Sequence, residues 1–215
     1  MNMKTGIIFD VDGTLWDACH QIVESWGIIL KKHNITDIEL EYEAMKGMMG
    51  KQMLDIMREM MPDKNIETAE KIGRECCDYE IEYMRNGHPG VMFNGACETI
   101  RKLKEKYFIG IVSNCQDGYI DLLLKAYDLE DFVDDFLCAG MEAVPKSENI
   151  KNIMKRNSLD KAFYVGDTMG DFDAVKKTKA EFIYAAYGFG NVDEECYKIN
   201  EFTELPELIQ CITEV

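Results

Sequence analysis

From residue 95 onward the chain alternates two kinds of segment. Short apolar runs lie at 107–114 (YFIGIVSN), 136–139, 162–167 (AFYVGD) and 180–187 (AEFIYAAY). Amphipathic stretches lie before, between and after them, at 95–107, 118–127, 147–157, 170–178 and near 205–213. Brief apolar runs without alternation are strands buried on both faces, and helices between them supply the covering layers. The pattern predicts a Rossmann-like parallel sheet with helices on both faces. An earlier apolar run at 4–10 is expected to join that sheet. Ser147 is expected to N-cap its helix.

Between the first strand and this alternating region the reading is entirely helical. One helix is expected over 17–33, with Asp17 as N-cap and Ile22, Trp26 and Ile29 or Leu30 on one face. A second spans 51–61, with Met53, Met57 and Met60 along one side. A third spans roughly 67–86, where Ile72, Cys76, Tyr79 and Tyr83 recur at helical spacing. His88-Pro89-Gly90 breaks the pattern. The expected organisation is an α/β core of residues 1–15 and 87–215, with residues 16–86 inserted as an all-helical cap.

A chain of 215 residues, 47% of them hydrophobic, can bury one sizeable core. Its net charge of -16 argues against a nucleic-acid partner and against an anionic membrane surface. From Asp193 to Val215 there are seven acidic residues and one lysine, a pattern expected of a solvated face. The run Met1-Asn2-Met3-Lys4 leads straight into a strand, which fits no secretory signal, and no apolar stretch is long enough to span a bilayer. A cytoplasmic location is expected. The eight cysteines include no CxxC pair, so they read as reduced, mostly small core residues and not as a zinc site.

In an open parallel sheet, ligands bind beyond the carboxyl ends of the strands. Four of those ends here carry polar groups. The first strand runs into FDVDGTLWD, placing Asp10 and Asp12 side by side. The strand at 107–112 ends at Ser113 and Asn114. Lys146 follows the strand at 136–139, and Asp167 follows the strand at 162–166 with Asp171 four residues on. Asp10, Asp12 and Asp167 at one edge would repel strongly unless a positive charge sat among them. With oxygen ligands and Lys146 nearby, a hard cation such as Mg²⁺ suits the set. Gly13 and Thr14 offer a tight turn and backbone N–H groups for an oxyanion. Ser113 and Asn114 can donate to phosphate oxygens, and Lys146 can neutralise a phosphate or the carboxylate that receives it. An anion site beside magnesium suits phosphoryl transfer. Asp10 would be the nucleophile, forming an aspartyl phosphate, and Asp12 the acid and base.

Taken together, DVDGT at 10–14, Ser113 after a strand, Lys146 before a helix and GDTMGD at 166–171 resemble the haloacid dehalogenase-like hydrolase superfamily. The placement of the helical insertion is similar to the helical-cap subfamily, which includes phosphoglycolate phosphatase-like enzymes. The resemblance implies that Asp10 is nucleophile and metal ligand. It implies that Asp12 is the acid/base and lends its backbone carbonyl to Mg²⁺. It implies that Asp167 is a metal ligand, Asp171 a ligand or outer partner, and Ser113 and Lys146 the phosphate-binding pair. Tyr187-Gly188-Phe189-Gly190 is similar to a Gly-containing loop of the family.

The reading is therefore a Mg²⁺-dependent phosphatase acting on a small-molecule phosphate ester. A phosphomutase, with a sugar hydroxyl replacing water, remains open. A phosphonate hydrolase would need a cap lysine, for which Lys51 is the candidate. A dehalogenase would have no use for the magnesium ligands. An EF-hand fails on register, because Gly13 is the fourth residue of the DxDG stretch and position twelve is Gln21. Lys46, Lys51 and the segment 47–50 are the candidates for reading the substrate.

Overall fold

A computed structural model describes residues 3–140 and 144–213. The chain runs β1 (Thr5–Phe9), β2 (Trp16–Asp17), α1 (Cys19–Lys32), α2 (Tyr42–Lys46), α3 (Met53–Met60), α4 (Ile66–Arg85) and β3 (Val91–Met92). It continues through α5 (Ala96–Lys104), β4 (Phe108–Ser113), α6 (Tyr119–Ala126), β5 (Asp135–Cys138), α7 (Lys146–Arg156), β6 (Lys161–Gly166), α8 (Met169–Val175), β7 (Glu181–Ala185), β8 (Tyr197–Ile199) and α9 (Leu205–Thr213).

Six strands form one parallel sheet in the order β5-β4-β1-β6-β7-β8. The most apolar strands occupy its centre. β1 pairs β4 on one side, with Ile7 opposite Ile109, and β6 on the other, with Ile7 opposite Phe163. Ile7, Ile8 and Phe9 are wholly buried, as are Ile109, Phe163 and Val165. Each such side chain contributes roughly 1.5–3 kcal/mol by leaving water. This is the Rossmann-like α/β core that the alternation predicts.

Four features differ from the sequence reading. Residues 16–86 are not helical throughout, because Trp16 and Asp17 are extended and pair antiparallel with Met92 and Val91. The two chain crossings into the helical segment are thus tied to each other. Asp17 is not the N-cap of α1. Ala18 holds that position, while Asp17 Oδ1 accepts from Cys19 N at 2.9 Å. Ser147 lies inside α7, whose N-cap position is Pro145. The acidic C-terminal stretch contains a strand, β8, which pairs with β7 and buries only Ile199 of its three residues. Its described acidic residues, Asp193 to Glu207, are nevertheless exposed, and Glu214 lies outside the described residues.

The faces read from periodicity are buried in part, since Met53, Tyr79 and Tyr83 are only half-buried and the buried face of α4 runs on through Glu80 and Met84. Ile22, Trp26 and Ile29 of α1 are buried, as are Ile72 and Cys76 of α4 and Met57 and Met60 of α3. Cys19, Cys76 and Cys77 are buried free thiols, four other cysteines are half-buried, and Cys211 is exposed. Among the described residues no helix is long and apolar enough to cross a membrane.

Candidate active site

The carboxyl ends of β1, β4 and β6 and the start of α7 converge at the centre of the sheet. Asp10, one residue beyond β1, donates its backbone N–H to Val165 O at 2.9 Å, which continues the pairing with β6. Its carboxylate is buried, and Oδ1 accepts from Lys146 Nζ at 2.9 Å. Lys146 also donates to Asp171 Oδ1 at 2.6 Å. Burial by itself would lower the Lys146 pKa, but the two carboxylates outweigh it and hold the ammonium charged. Burial, opposed by Lys146 and assisted by Asp171 and Asp167, raises the Asp10 carboxyl well above its ordinary range.

Asp167 sits directly after β6, fully buried. Its Oδ2 accepts the backbone N–H groups of Phe189 at 2.8 Å and Gly190 at 3.2 Å, and its Oδ1 accepts the Thr14 hydroxyl at 3.2 Å. The loop 187–190 is thus the seat of this carboxylate. Two glycines make the approach feasible. Gly13 has φ +81°, and a Cβ there would lie 2.2 Å from Asp167 Oδ2. A Cβ on Gly188 would lie 2.3 Å from Asp167 Cβ. Burial first, then the charge of Asp171, raises the Asp167 pKa to about 7.

Oxygens of Asp10, Asp167 and Asp171 lie within 4.8 Å of one another, all buried. Fully ionised, three buried carboxylates against one lysine would leave a net charge of minus two. An all-oxygen donor set with that deficit fits a hard divalent cation. Asp171 also closes a capping box on α8, its Oδ2 accepting from Thr168 N at 3.0 Å and Thr168 Oγ1 at 2.7 Å. Both of its oxygens are therefore engaged, and its first task is to hold Lys146 and the helix start.

The Asp12 carboxylate is not part of this side-chain cluster, where Asp171 joins Asp10 and Asp167; the role expected of Asp12 toward a metal is through its backbone carbonyl. The Asp12 side chain turns away to accept from Trp16 Nε1 at 3.1 Å and Tyr119 OH at 2.8 Å. Burial raises its pKa to about 6 against the pull of those two donors. The turn also differs from expectation. Gly13 N donates to Trp16 O at 3.0 Å and Thr14 N to Val11 O at 3.2 Å, so neither N–H is free for an oxyanion in this arrangement. The pair instead supports Asp167.

Ser113 is buried at the end of β4. With Asp10, Asp12 and Asn114 it lines a cavity beneath the helical segment, and the Asn114 amide donates to Gly50 O at 2.7 Å and so reaches that segment. Lys51 lines the cavity too, paired with Glu59 at 2.6 Å on the protein's surface. Lys46 lies over the Phe189 ring, 5.7 Å from its centroid.

One residue escaped the sequence reading. Glu80 of α4 is 2% exposed and lines the cavity with Asp10, Asp12 and Ser113. It accepts from Trp26 Nε1 at 2.6 Å and from Gln116 Nε2 at 2.9 Å, so it joins α1 to the loop after β4. Its signal was present, since Ile72, Cys76, Glu80 and Met84 fall at i, i+4 spacing on the buried face of α4.

The match with the family model for haloacid dehalogenase-like hydrolases spans residues 7–185. The chain belongs to that family and is a hydrolase of it. It is 27% identical over 207 residues to the probable phosphatase IndB of Dickeya dadantii, covering 89% of this chain and 85% of that one. It is 25% identical over 184 residues to the pyrophosphatase PpaX of Listeria monocytogenes, covering 81% and 80%. Among solved structures, a haloacid dehalogenase-like hydrolase from Streptococcus pneumoniae superposes with a TM-score of 0.82 at 20% identity, over 98% of this chain and all of the other. A predicted phosphoglycolate phosphatase from Haemophilus somnus superposes at 0.81 with 17% identity, over 98% and 100%. These two likenesses establish the shared fold.

Proposed function

We propose that the protein is a phosphatase that hydrolyses a small phosphate monoester through an aspartyl phosphate on Asp10. The observation that carries this reading is the divergence of two neighbouring carboxylates. Asp10 points to Lys146 and the acidic cluster, whereas Asp12 points to Trp16 and Tyr119. One is set up as a charged nucleophile and the other as a proton carrier. The two curated relatives named as a phosphatase and a pyrophosphatase support the same chemistry.

Asp10, Asp167 and, at its edge, Asp171 would hold a Mg²⁺ ion. Bound there, the ion supplies positive charge that neutralises the cluster and the phosphoryl oxygens. Lys146 orients Asp10 and opposes the effect of burial on its ionisation. Asp10 attacks phosphorus while Asp12 delivers its proton to the departing alkoxide oxygen. Asp12 then takes a proton from the water that opens the aspartyl phosphate, which restores both carboxyl groups. Ser113 offers its hydroxyl to a phosphoryl oxygen from the end of β4.

Residues 16–86 act as a cap over the core formed by 1–15 and 87–215. Asn114 with Gly50 and Gln116 with Glu80 are polar contacts across that boundary. Closure of the cap excludes bulk water from the intermediate. Steady-state assay of Asp10→Asn and Asp12→Asn against a panel of phosphate monoesters with Mg²⁺ tests the reading. Both variants should lose turnover while retaining the fold, and an Asp10→Asn enzyme with substantial activity would refute it.

A further inference from the structure

Glu80 and Asn114 present acceptors in the wall of the cavity beneath the helical segment, and among the described residues its lining has no unpaired cation. Glu80 is a buried carboxylate whose two oxygens meet only neutral donors, Trp26 and Gln116, and no ion pair to it exists among the described residues. Asn114 supplies a second acceptor. Its Nδ2 is fixed by Gly50 O at 2.7 Å, so the amide orientation is settled by that carbonyl. The Oδ1 on the other side is buried and has no hydrogen-bond partner. An orphaned buried acceptor costs roughly 1–3 kcal/mol until a donor reaches it.

Among the described residues, Lys51 is the one cationic side chain lining this cavity, and Glu59 already holds it. Lys146, which does not line the cavity, is shared between Asp10 and Asp171. Apolar groups of Trp26, Met53 and Ile56 fill the rest of the wall. A second anionic group on the substrate would lose its hydration in a buried site that has no unpaired cation among its described lining residues to receive it.

From this arrangement, and resting on the phosphatase reading above, we infer that the substrate's leaving group carries a hydrogen-bond donor, an amino or hydroxyl group, and no carboxylate. Glu80 and Asn114 Oδ1 receive that donor. Burial raises the Glu80 pKa to about 8, and a cationic amine arriving beside it would favour the ionised, accepting form of its carboxyl.

The test uses phosphate monoesters of matched chain length ending in an amine, a hydroxyl, a methyl or a carboxylate, assayed with the full-length protein and Mg²⁺. p-Nitrophenyl phosphate serves as the reference for chemistry alone. The donor-bearing esters should exceed both the methyl and the carboxylate esters by at least about tenfold in kcat/KM, a difference of about 1.4 kcal/mol. Glu80→Gln should narrow the donor-over-carboxylate ratio, because the amide both accepts and donates. Equal rates across the panel, or preference for the carboxylate ester, would overturn the inference and leave the phosphatase reading intact. Hydrolysis of none of the esters, p-nitrophenyl phosphate included, would remove both. The wild-type panel decides even if Glu80→Gln does not fold.

Discussion

Lys146 and Asp10 are 136 residues apart in the chain and 2.9 Å apart in space. This pair joins the end of β1 to the start of α7, and Lys146 is the one positive charge within the acidic cluster among the described residues. Replacing Lys146 with Met keeps the stem and removes the charge, leaving three buried carboxylates unopposed. Loss of one partner from a buried ion pair costs on the order of 3–5 kcal/mol. Thermal denaturation of Lys146→Met should show a large fall in stability that added Mg²⁺ partly restores. An unchanged Tm would mean that the pair does not hold the cluster.

Asp12 is expected to matter in proportion to the leaving group's need for a proton. Asp12→Asn should lower kcat/KM for alkyl phosphates by roughly 10²–10⁴-fold. The loss should be much smaller for p-nitrophenyl phosphate, whose phenolate departs unaided. Equal losses for the two esters would assign Asp12 a structural role.

Stability should depend on pH through Glu80. Burial raises its folded-state pKa to about 8 from an ordinary 4.5, against the donors Trp26 and Gln116 and with Asp12 nearby. A raised carboxyl pKa means that the unfolded chain gives up its proton first. Its contribution is therefore fully present below about 4.5 and is lost as pH rises through about 8. The slope approaches about 1.4 kcal/mol per pH unit between those values. Glu80→Gln lacks this term, so the variant should gain on the parent steadily from pH 5 to 8 in denaturant titrations. Parallel stability curves would show that Glu80 stays ionised in the fold.

Metal removal gives a further expectation. Activity should vanish with a chelator and return with Mg²⁺, whereas Ca²⁺ should inhibit. Calcium takes more ligands in looser geometry and would misplace the carboxylate that attacks. Full turnover in metal-free protein would contradict the role given to Asp10, Asp167 and Asp171.

Much of this was legible before any coordinates because buried strands are continuous apolar runs and their ends are where the polar residues begin. Asp10, Ser113 and Asp167 each stand at such an end, and β1, β4 and β6 bring them together. The two-residue strands β2 and β3 were not legible, since two residues have no period. β8 was hidden because its edge position buries one side chain within an acidic stretch. The direction of the Asp12 side chain depends on Trp16 and Tyr119, and Tyr119 lies 107 residues away, a distance local pattern cannot bridge. Glu80 was passed over among the many charges of α4, although its register with Ile72 and Cys76 marks it as buried.

The central claim is a phosphoryl group carried by Asp10. Acid quenching during turnover, followed by mass analysis of the intact protein and its peptides, measures it directly. The account predicts the mass of one phosphoryl group on the peptide containing Asp10, lost on treatment with hydroxylamine and missing from Asp10→Asn. Turnover with no such increment on that peptide, or with the increment on a different residue, would contradict it.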